Sequence, residues 1–447
     1  MRSFCLAAIV LACALPGSGE WRAGAASVNI NPTEPVWLAG YGGRTGPSRG
    51  ILQDIFVKAL ALENGGERSV LVTSDLVGLD TKMVEEIASR TQQKFGVPRE
   101  RLILNYSHNH SCPVTGDVLR LYYELTPEQG AAVGRYTRRL LDQYIEAIGT
   151  AIAKLEPAEL SFEQGLAGFA VNRRRARPGG RKLAGPVDHD VPVLAVRTGG
   201  ALRAVAFGYS CHTTALSGYE VNGDYAGYAQ EALEKAYPGA VALFVMGCGG
   251  DANPLPRVMG VTTPEAVELA SMYGRIVAKA VEIVLRGPMQ PVRGRLKAGY
   301  TIAEIPFQKG PTREELAARL PKEKGLPRRA TEHLLRVYDR EGKLPDRYPY
   351  PVQVWRFGAD LTLVALTGES VVDYCLRFKD AFGWDNTWVA GYNNELLSYV
   401  PSLRVLREGG YEGTTGMAEY GHPAPYGYAV EEAIAQRVEE LYEETKP

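Results

Sequence analysis

Leu102-Ile103-Leu104-Asn105-Tyr106-Ser107-His108-Asn109-His110-Ser111-Cys112-Pro113 runs from an apolar stretch straight into two of the chain's six histidines. The apolar start predicts a short buried strand over Leu102 to Tyr106, because a brief unbroken aliphatic run suits a strand covered on both faces. An H-x-H pair on such a strand sets both imidazoles on one face, since side chains alternate with period two. Two rings on one face beside a strand end form a seed for a Zn²⁺ site, which takes imidazole nitrogen and carboxylate oxygen in tetrahedral array. Taken alone, the pair fits equally well two histidines hydrogen-bonded in a loop, and any further ligands must come from elsewhere in the chain.

Outward from this stretch the pattern is α/β. Strand-like runs fall at Ser27 to Ile30, Ile55 to Leu62, Ser69 to Thr73, Val191 to Val196, Ala204 to Tyr209 and Val241 to Met246. Helical periodicity marks Thr81 to Phe95, Pro127 to Leu155, Tyr225 to Ala236 and Pro264 to Leu285, where apolar residues recur every three or four positions. Alternating strands and helices predict a mixed β-sheet core flanked by helices, with at least some parallel pairing. Residues 306–350 break the pattern: they are rich in Lys and Arg, predict two short helices, and look like an insertion or lid. A hairpin is expected over Val352 to Phe357 and Leu361 to Leu366, then a helix from Glu369 to Phe382 and a strand from Trp388 to Tyr392. The Gly-, Tyr- and Pro-rich stretch from there to Gly427 reads as loop, and a long loop in a compact domain is usually functional.

Composition narrows the classes. The 447 residues are 45% apolar and 23% charged with a formal net charge of −1, which suits a globular protein and gives no ground for a nucleic-acid partner. The basic concentration Arg173-Arg174-Arg175 with Arg177, Arg181 and Lys182 reads first as a solvated loop. Met1-Arg2, the apolar Phe4 to Leu15 and the small residues Pro16 to Gly19 have the form of an export signal over 1–19, leaving 20–447 as the mature unit. Val10-Leu11-Ala12-Cys13 also weakly resembles a lipoprotein processing site, with Cys13 as the anchored residue. If the leader is removed, Cys112, Cys211, Cys248 and Cys375 remain. They are too sparse for a disulfide scaffold and read best as small buried residues.

Three further segments carry candidate chemistry. Tyr209-Ser210-Cys211-His212-Thr213-Thr214 places a histidine at another strand end, and strand-end groups in α/β folds converge at one edge of the sheet. Met246-Gly247-Cys248-Gly249-Gly250-Asp251-Ala252-Asn253-Pro254 is a glycine-rich strand-to-loop turn where backbone can approach a ligand closely. Thr367-Gly368-Glu369 presents a carboxylate where a strand gives way to a helix, a position the helix dipole favours without any catalytic role.

In order along the chain, these segments resemble the neutral ceramidases, zinc amidohydrolases that cleave the amide of N-acylsphingosine. Ser107-His108-Asn109-His110-Ser111 is similar to the family's Ser-His-Thr-His-Ser, and Phe169-Ala170-Val171-Asn172-Arg173 to its Asn-Arg stretch. Cys211-His212-Thr213-Thr214, followed by Gly223-Asp224-Tyr225-Ala226-Gly227-Tyr228-Ala229, resembles the second histidine segment and its helix. Gly250-Asp251-Ala252-Asn253-Pro254 resembles Gly-Asp-Val-Ser-Pro, Gly368-Glu369 resembles Pro-Gly-Glu, and Asn394 to Val400 with Tyr411-Glu412-Gly413 resembles the tyrosine segments.

The resemblance implies a zinc held by His108, His212, Glu369 and Tyr399, with a water completing the site. It further implies His110 either as a support for the metal ligands or as a proton carrier, Arg173 as the stabiliser of negative charge on the substrate oxygen, and Asp251 as a residue orienting water or ligand. Asn253 stands where the family has serine. Asparagine cannot be a nucleophile, so the implied reaction is attack by zinc-bound water, with Asn253 limited to a hydrogen bond. The family usually carries a C-terminal immunoglobulin-like domain, and none is expected here because the sequence stops soon after the tyrosine segment. The expected substrate is an N-acylsphingosine or another small-molecule or lipid amide, with transient contact at a membrane surface and an exported location. Hydrolysis of a different amide or ester, and an inactive binding module on the same fold, are the alternatives.

Overall fold

The apolar runs become the strands of one large sheet in the computed structural model, which describes residues 21–174, 185–257 and 263–446. In chain order the long strands are β1 (Trp21–Asn29), β2 (Phe56–Asn64), β3 (Glu67–Ser74), β4 (Leu102–Tyr106), β5 (Glu156–Leu166), β6 (Asp190–Thr198), β7 (Ala201–Tyr209), β8 (Val241–Met246), β9 (Leu296–Pro306), β10 (Arg347–Phe357), β11 (Leu361–Thr367) and β12 (Thr387–Asn393). Their spatial order is β8-β7-β6-β5-β1-β2-β3-β4-β12-β11-β10-β9. Parallel pairing joins β8 to β7, β3 to β4 and β11 to β12, and the other pairs are antiparallel. This is the expected mixed sheet.

Among the described residues, eight helices of seven residues or more flank it: α1 (Thr81–Phe95), α2 (Pro127–Ala153), α3 (Asp224–Ala236), α4 (Pro264–Arg286), α5 (Arg313–Arg319), α6 (Gly325–Glu341), α7 (Val372–Phe382) and α8 (Val430–Glu444). Local signals set their ends. Asp80 accepts the Met83 N–H to start α1, and left-handed Gly96 closes it. Thr126 and Gln129 form a reciprocal capping box ahead of α2, with Pro127 in its first turn.

Strand alternation explains the layers. In β2, Val57, Ala59 and Ala61 face a core shared with residues of α1 to α4, while Leu60 and Leu62 face a second core containing Trp355 and Trp388. The second core lies between two halves of the sheet, which therefore folds back on itself. Asn105 stitches the fold: its amide oxygen accepts the Met246 N–H at 2.8 Å and its nitrogen donates to Gly391 O at 2.9 Å, joining β4 to β8 and β12. A third core packs α7 and α8 on β9 to β11, with Phe378, Ile434 and Val438 fully buried. All three parallel pairs thereby send their carboxyl ends towards one edge, where the chain can place side chains from distant segments together.

Several expectations change. The stretch after β12 is not all loop: Leu403–Glu408 and Gly410–Gly413 are short helices, and Thr415–Tyr420 is a tight 3₁₀ turn. Strands β5 and β9 escape the sequence patterns because few of their residues are fully buried, Leu160 and Phe162 in β5 and Leu296, Ala303 and Ile305 in β9. Residues 306–350 do form two helices between β9 and β10, and α6 is fastened to the body. Arg329 donates to Leu121 O at 2.7 Å and to Tyr122 O at 3.2 Å, and pairs with Glu124. The four cysteines are buried free thiols, as small core residues should be. The basic run is not a solvated loop at its start, where Arg173 and Arg174 turn inward to Glu412. Arg175 to Lys182 and the 1–19 leader lie outside the described residues. Among the described residues no helix is long and apolar enough to cross a membrane.

Candidate metal centre

Strand β4 ends at Tyr106, so His108 and His110 lie beyond it and the period-two argument for their alignment fails. A turn unites them instead. Ser107 donates to Ser74 O and Asn109 to Leu76 O, and His108 adopts a left-handed backbone with φ of 56°. The two Nε2 atoms are then 3.0 Å apart. His110 is further held by Gly40 and Tyr41. A Cβ on Gly40 would stand 2.4 Å from His110 Cγ, and the Tyr41 ring meets the imidazole edge-on at 4.9 Å.

His212 leaves the end of β7, its backbone N–H donating to Ala252 O at 3.0 Å. Its Nδ1 lies 2.7 Å from Gly249 O, and His108 Nδ1 lies 2.8 Å from Val77 O. Carbonyls only accept, so each Nδ1 carries the hydrogen and each Nε2 is left to act as a ligand. The glycine run makes this possible: a Cβ on Gly249 would fall 2.6 Å from Met246 Cε and 2.9 Å from Cys211 N. Burial drives the His212 pKa down to about 4, and burial with the neighbouring imidazoles drives His110 well below its ordinary value.

Glu369 follows β11 in a two-residue parallel pairing with Tyr399, which places both beside the histidines. Glu369 Oε2 lies 3.1 Å from His108 Nε2 and 3.1 Å from His212 Nε2. Burial would raise this carboxyl, but a proton on the facing Nε2 of His108 and His212 outweighs it and holds the group well below the usual carboxylate range, the place a cation takes when the nitrogens act as ligands. Tyr399 stacks on His212 with ring centroids 6.4 Å apart and 20° between planes. Burial keeps its phenol protonated well past the ordinary range.

The donor set fits a cation. A tetrahedral ion with bonds of about 2.0–2.1 Å spaces its ligands about 3.3 Å apart, close to the observed 3.1 Å separations. Imidazole lone pairs and a buried carboxylate aimed at one point are costly to bury without a positive charge between them. His108, His110 and His212 alone bring ligand atoms within 4.8 Å of one another. Two imidazoles and a carboxylate are a donor set that zinc favours.

The remaining expected residues separate into two groups. Arg173 reaches the centre, its guanidinium 5.3 Å from the Tyr399 ring centroid while Nε donates to Glu412 at 2.6 Å. Burial works against its charge, but Tyr399 and Glu412 outweigh it and keep it protonated. Asn253 lies in a short strand paired with Ala170–Asn172 and lines a cavity of about 620 Å³ with Arg173 and Tyr411. Among the described residues, His110 Nδ1, Arg173 Nη2 and Asn253 Oδ1 are buried without a hydrogen-bond partner. Asp251 belongs to the scaffold instead. One of its oxygens accepts the Val372 N–H at 2.9 Å and the other accepts from Asn172 at 2.8 Å, so it braces the start of α7 behind Glu369 rather than facing a ligand.

Sequence reasoning missed Tyr420, whose hydroxyl donates to Glu369 Oε1. Next to it, Glu419 accepts from Tyr411 at 2.6 Å, and Tyr411 meets Tyr122 at 3.2 Å. The tyrosine-rich stretch was the available signal, but spacing cannot tell which phenol turns inward. Tyr420→Phe should weaken zinc binding about 10- to 100-fold, the usual effect of losing a partner of a ligating carboxylate. Competition against a chelator of known affinity measures it, and an unchanged zinc affinity would show that Tyr420 does not hold Glu369 in place.

The family model described as neutral/alkaline non-lysosomal ceramidase, N-terminal, matches residues 22–277. The chain belongs to this family. The matched span includes His108, His110, Arg173, His212, Asp251 and Asn253, whereas Glu369 and Tyr399 lie beyond it. Among solved structures, neutral ceramidase from Pseudomonas aeruginosa superposes with a TM-score of 0.74 at 20% identity, over 96% of this chain and 76% of that one. A ceramidase complexed with C2 matches at TM-score 0.74 and 18% identity over the same shares. These likenesses show that the fold of those structures extends over nearly all of this chain.

Proposed function

We propose that this chain is a zinc-dependent amidohydrolase that cleaves the amide of an N-acylsphingosine or a related N-acyl lipid. The observation that carries the reading is the convergence of His108 Nε2 and His212 Nε2 on Glu369 Oε2, each at 3.1 Å, with the Arg173 guanidinium over the adjacent Tyr399 ring. A buried carboxylate and two imidazoles aimed at one point call for a positive charge between them. Family membership supports amide hydrolysis as the reaction class.

His108, His212 and Glu369 would hold the cation, with Tyr399 as the fourth protein donor. A zinc ion bound there supplies Lewis acidity, polarising a carbonyl oxygen and lowering the pKa of water. Arg173 Nη2 donates to the carbonyl oxygen as negative charge grows on it, and Tyr399 and Glu412 keep the guanidinium charged for that task. His110 starts neutral in its buried pocket, so it can accept the proton of the attacking water and pass it to the departing amine nitrogen. The balance is one water consumed, its hydroxyl on the acyl carbon and its proton on the amine.

Incubating the purified chain with a fluorescent short-chain N-acylsphingosine should release acid and amine, with cleavage lost to a chelator and recovered on adding zinc. Cleavage that persists after complete metal removal would refute the zinc-dependent reading.

A further inference from the structure

Asn253 is 5% exposed, and its buried Oδ1 has no partner among the described residues. Its backbone is not free to carry that oxygen elsewhere. Asn253 pairs with Val171 in a short antiparallel ladder, the preceding Ala252 O takes the His212 N–H, and Asp251 O takes the Arg173 N–H at 2.8 Å. The residue is therefore clamped between the segment that supplies His212 and the segment that supplies Arg173. It lines the 620 Å³ cavity together with Arg173 and Tyr411.

The two unpartnered groups differ in kind. Arg173 Nη2 can only donate, and Asn253 Oδ1 can only accept. A secondary amide offers an acceptor at its carbonyl oxygen and a donor at its N–H, whereas an ester offers acceptors alone. Given the hydrolase reading above, we infer that this site selects substrates whose scissile bond carries an N–H, and that Asn253 Oδ1 is the acceptor that recognises it. An ester in the same place satisfies Arg173 and leaves Asn253 Oδ1 buried and unpaired, and sites built to bond a substrate N–H reject analogues lacking it for this reason. Asn253 is in this account a specificity-determining residue, standing where the family resemblance places serine. A serine hydroxyl also accepts a hydrogen bond, so the task passes to asparagine without a nucleophile.

The test compares kcat/KM for a chromogenic secondary amide and for the matched ester in which oxygen replaces N–H. Wild type, Asn253→Ala and Asn253→Ser are assayed with zinc content measured in each. In Asn253→Ala the amide-to-ester ratio should fall about tenfold or more, and Asn253→Ser should recover most of it. A purely structural role would lower both substrates together, so an unchanged ratio in Asn253→Ala overturns the inference while leaving the hydrolase reading intact. If the alanine variant does not fold or hold zinc, the serine variant decides: a ratio near wild type supports the acceptor role, and a loss of about tenfold overturns it. A zinc-loaded wild type that cleaves neither substrate overturns the hydrolase reading and the inference with it.

Discussion

His212→Ala is expected to yield a folded chain that binds no stoichiometric zinc and hydrolyses amide substrate at background rate. His212 Nε2 and His108 Nε2 both lie 3.1 Å from Glu369 Oε2, so the substitution removes one of the two nitrogens that converge on the carboxylate and with it the tight site. The fold should survive, since the backbone around His212 is tied by its own N–H to Ala252 O. A readout separate from activity is available. A ligand that binds only the folded state stabilises it by about 4 kcal/mol at a thousand times its Kd. Zinc should therefore raise the Tm of the wild type and leave that of His212→Ala unmoved. A variant that keeps one zinc per chain and the same zinc-dependent Tm would remove His212 from the ligand set.

Arg173→Ala is expected to keep its zinc and lose about 10²- to 10³-fold in kcat, the usual cost of removing a preorganised donor from a developing negative charge. The structural consequence should be small. Glu412, which Arg173 contacts at 2.6 Å, retains Arg174 at 2.6 Å, so no carboxylate is left unpaired. Arg173→Lys should not restore the rate. A lysine ammonium cannot hold Glu412 through one nitrogen and present a second, fixed N–H to the substrate. Metal content and kcat measured on the same preparations decide the matter. A fall in zinc that matches the fall in rate would move Arg173 from charge stabilisation to support of the metal site.

Much of this site was legible in the sequence. His108, His212 and Glu369 converge as the ordered segments implied, and β4, β8 and α1 keep the limits their periodicity predicts. What escaped has identifiable causes. His108 and His110 meet through a left-handed turn rather than strand alternation, and nothing in an H-x-H pattern encodes a φ of 56°. The family resemblance makes Asp251 a site residue, yet its oxygens accept from Val372 and Asn172, partners 121 and 79 residues away. Tyr420 was hidden for the opposite reason. It sits among many tyrosines, and only the packing of the Thr415–Tyr420 turn against Glu369 selects it. The inward turn of Arg173 and Arg174 likewise depends on Glu412, more than two hundred residues on, which no local pattern reveals.

The most direct test of the central claim is X-ray diffraction from zinc-loaded crystals at energies above and below the zinc absorption edge. The expected result is one strong anomalous peak, present only above the edge, within bonding distance of His108 Nε2, His212 Nε2 and Glu369 Oε2. An empty cluster in zinc-saturated crystals, or a peak held by other residues, would contradict the account.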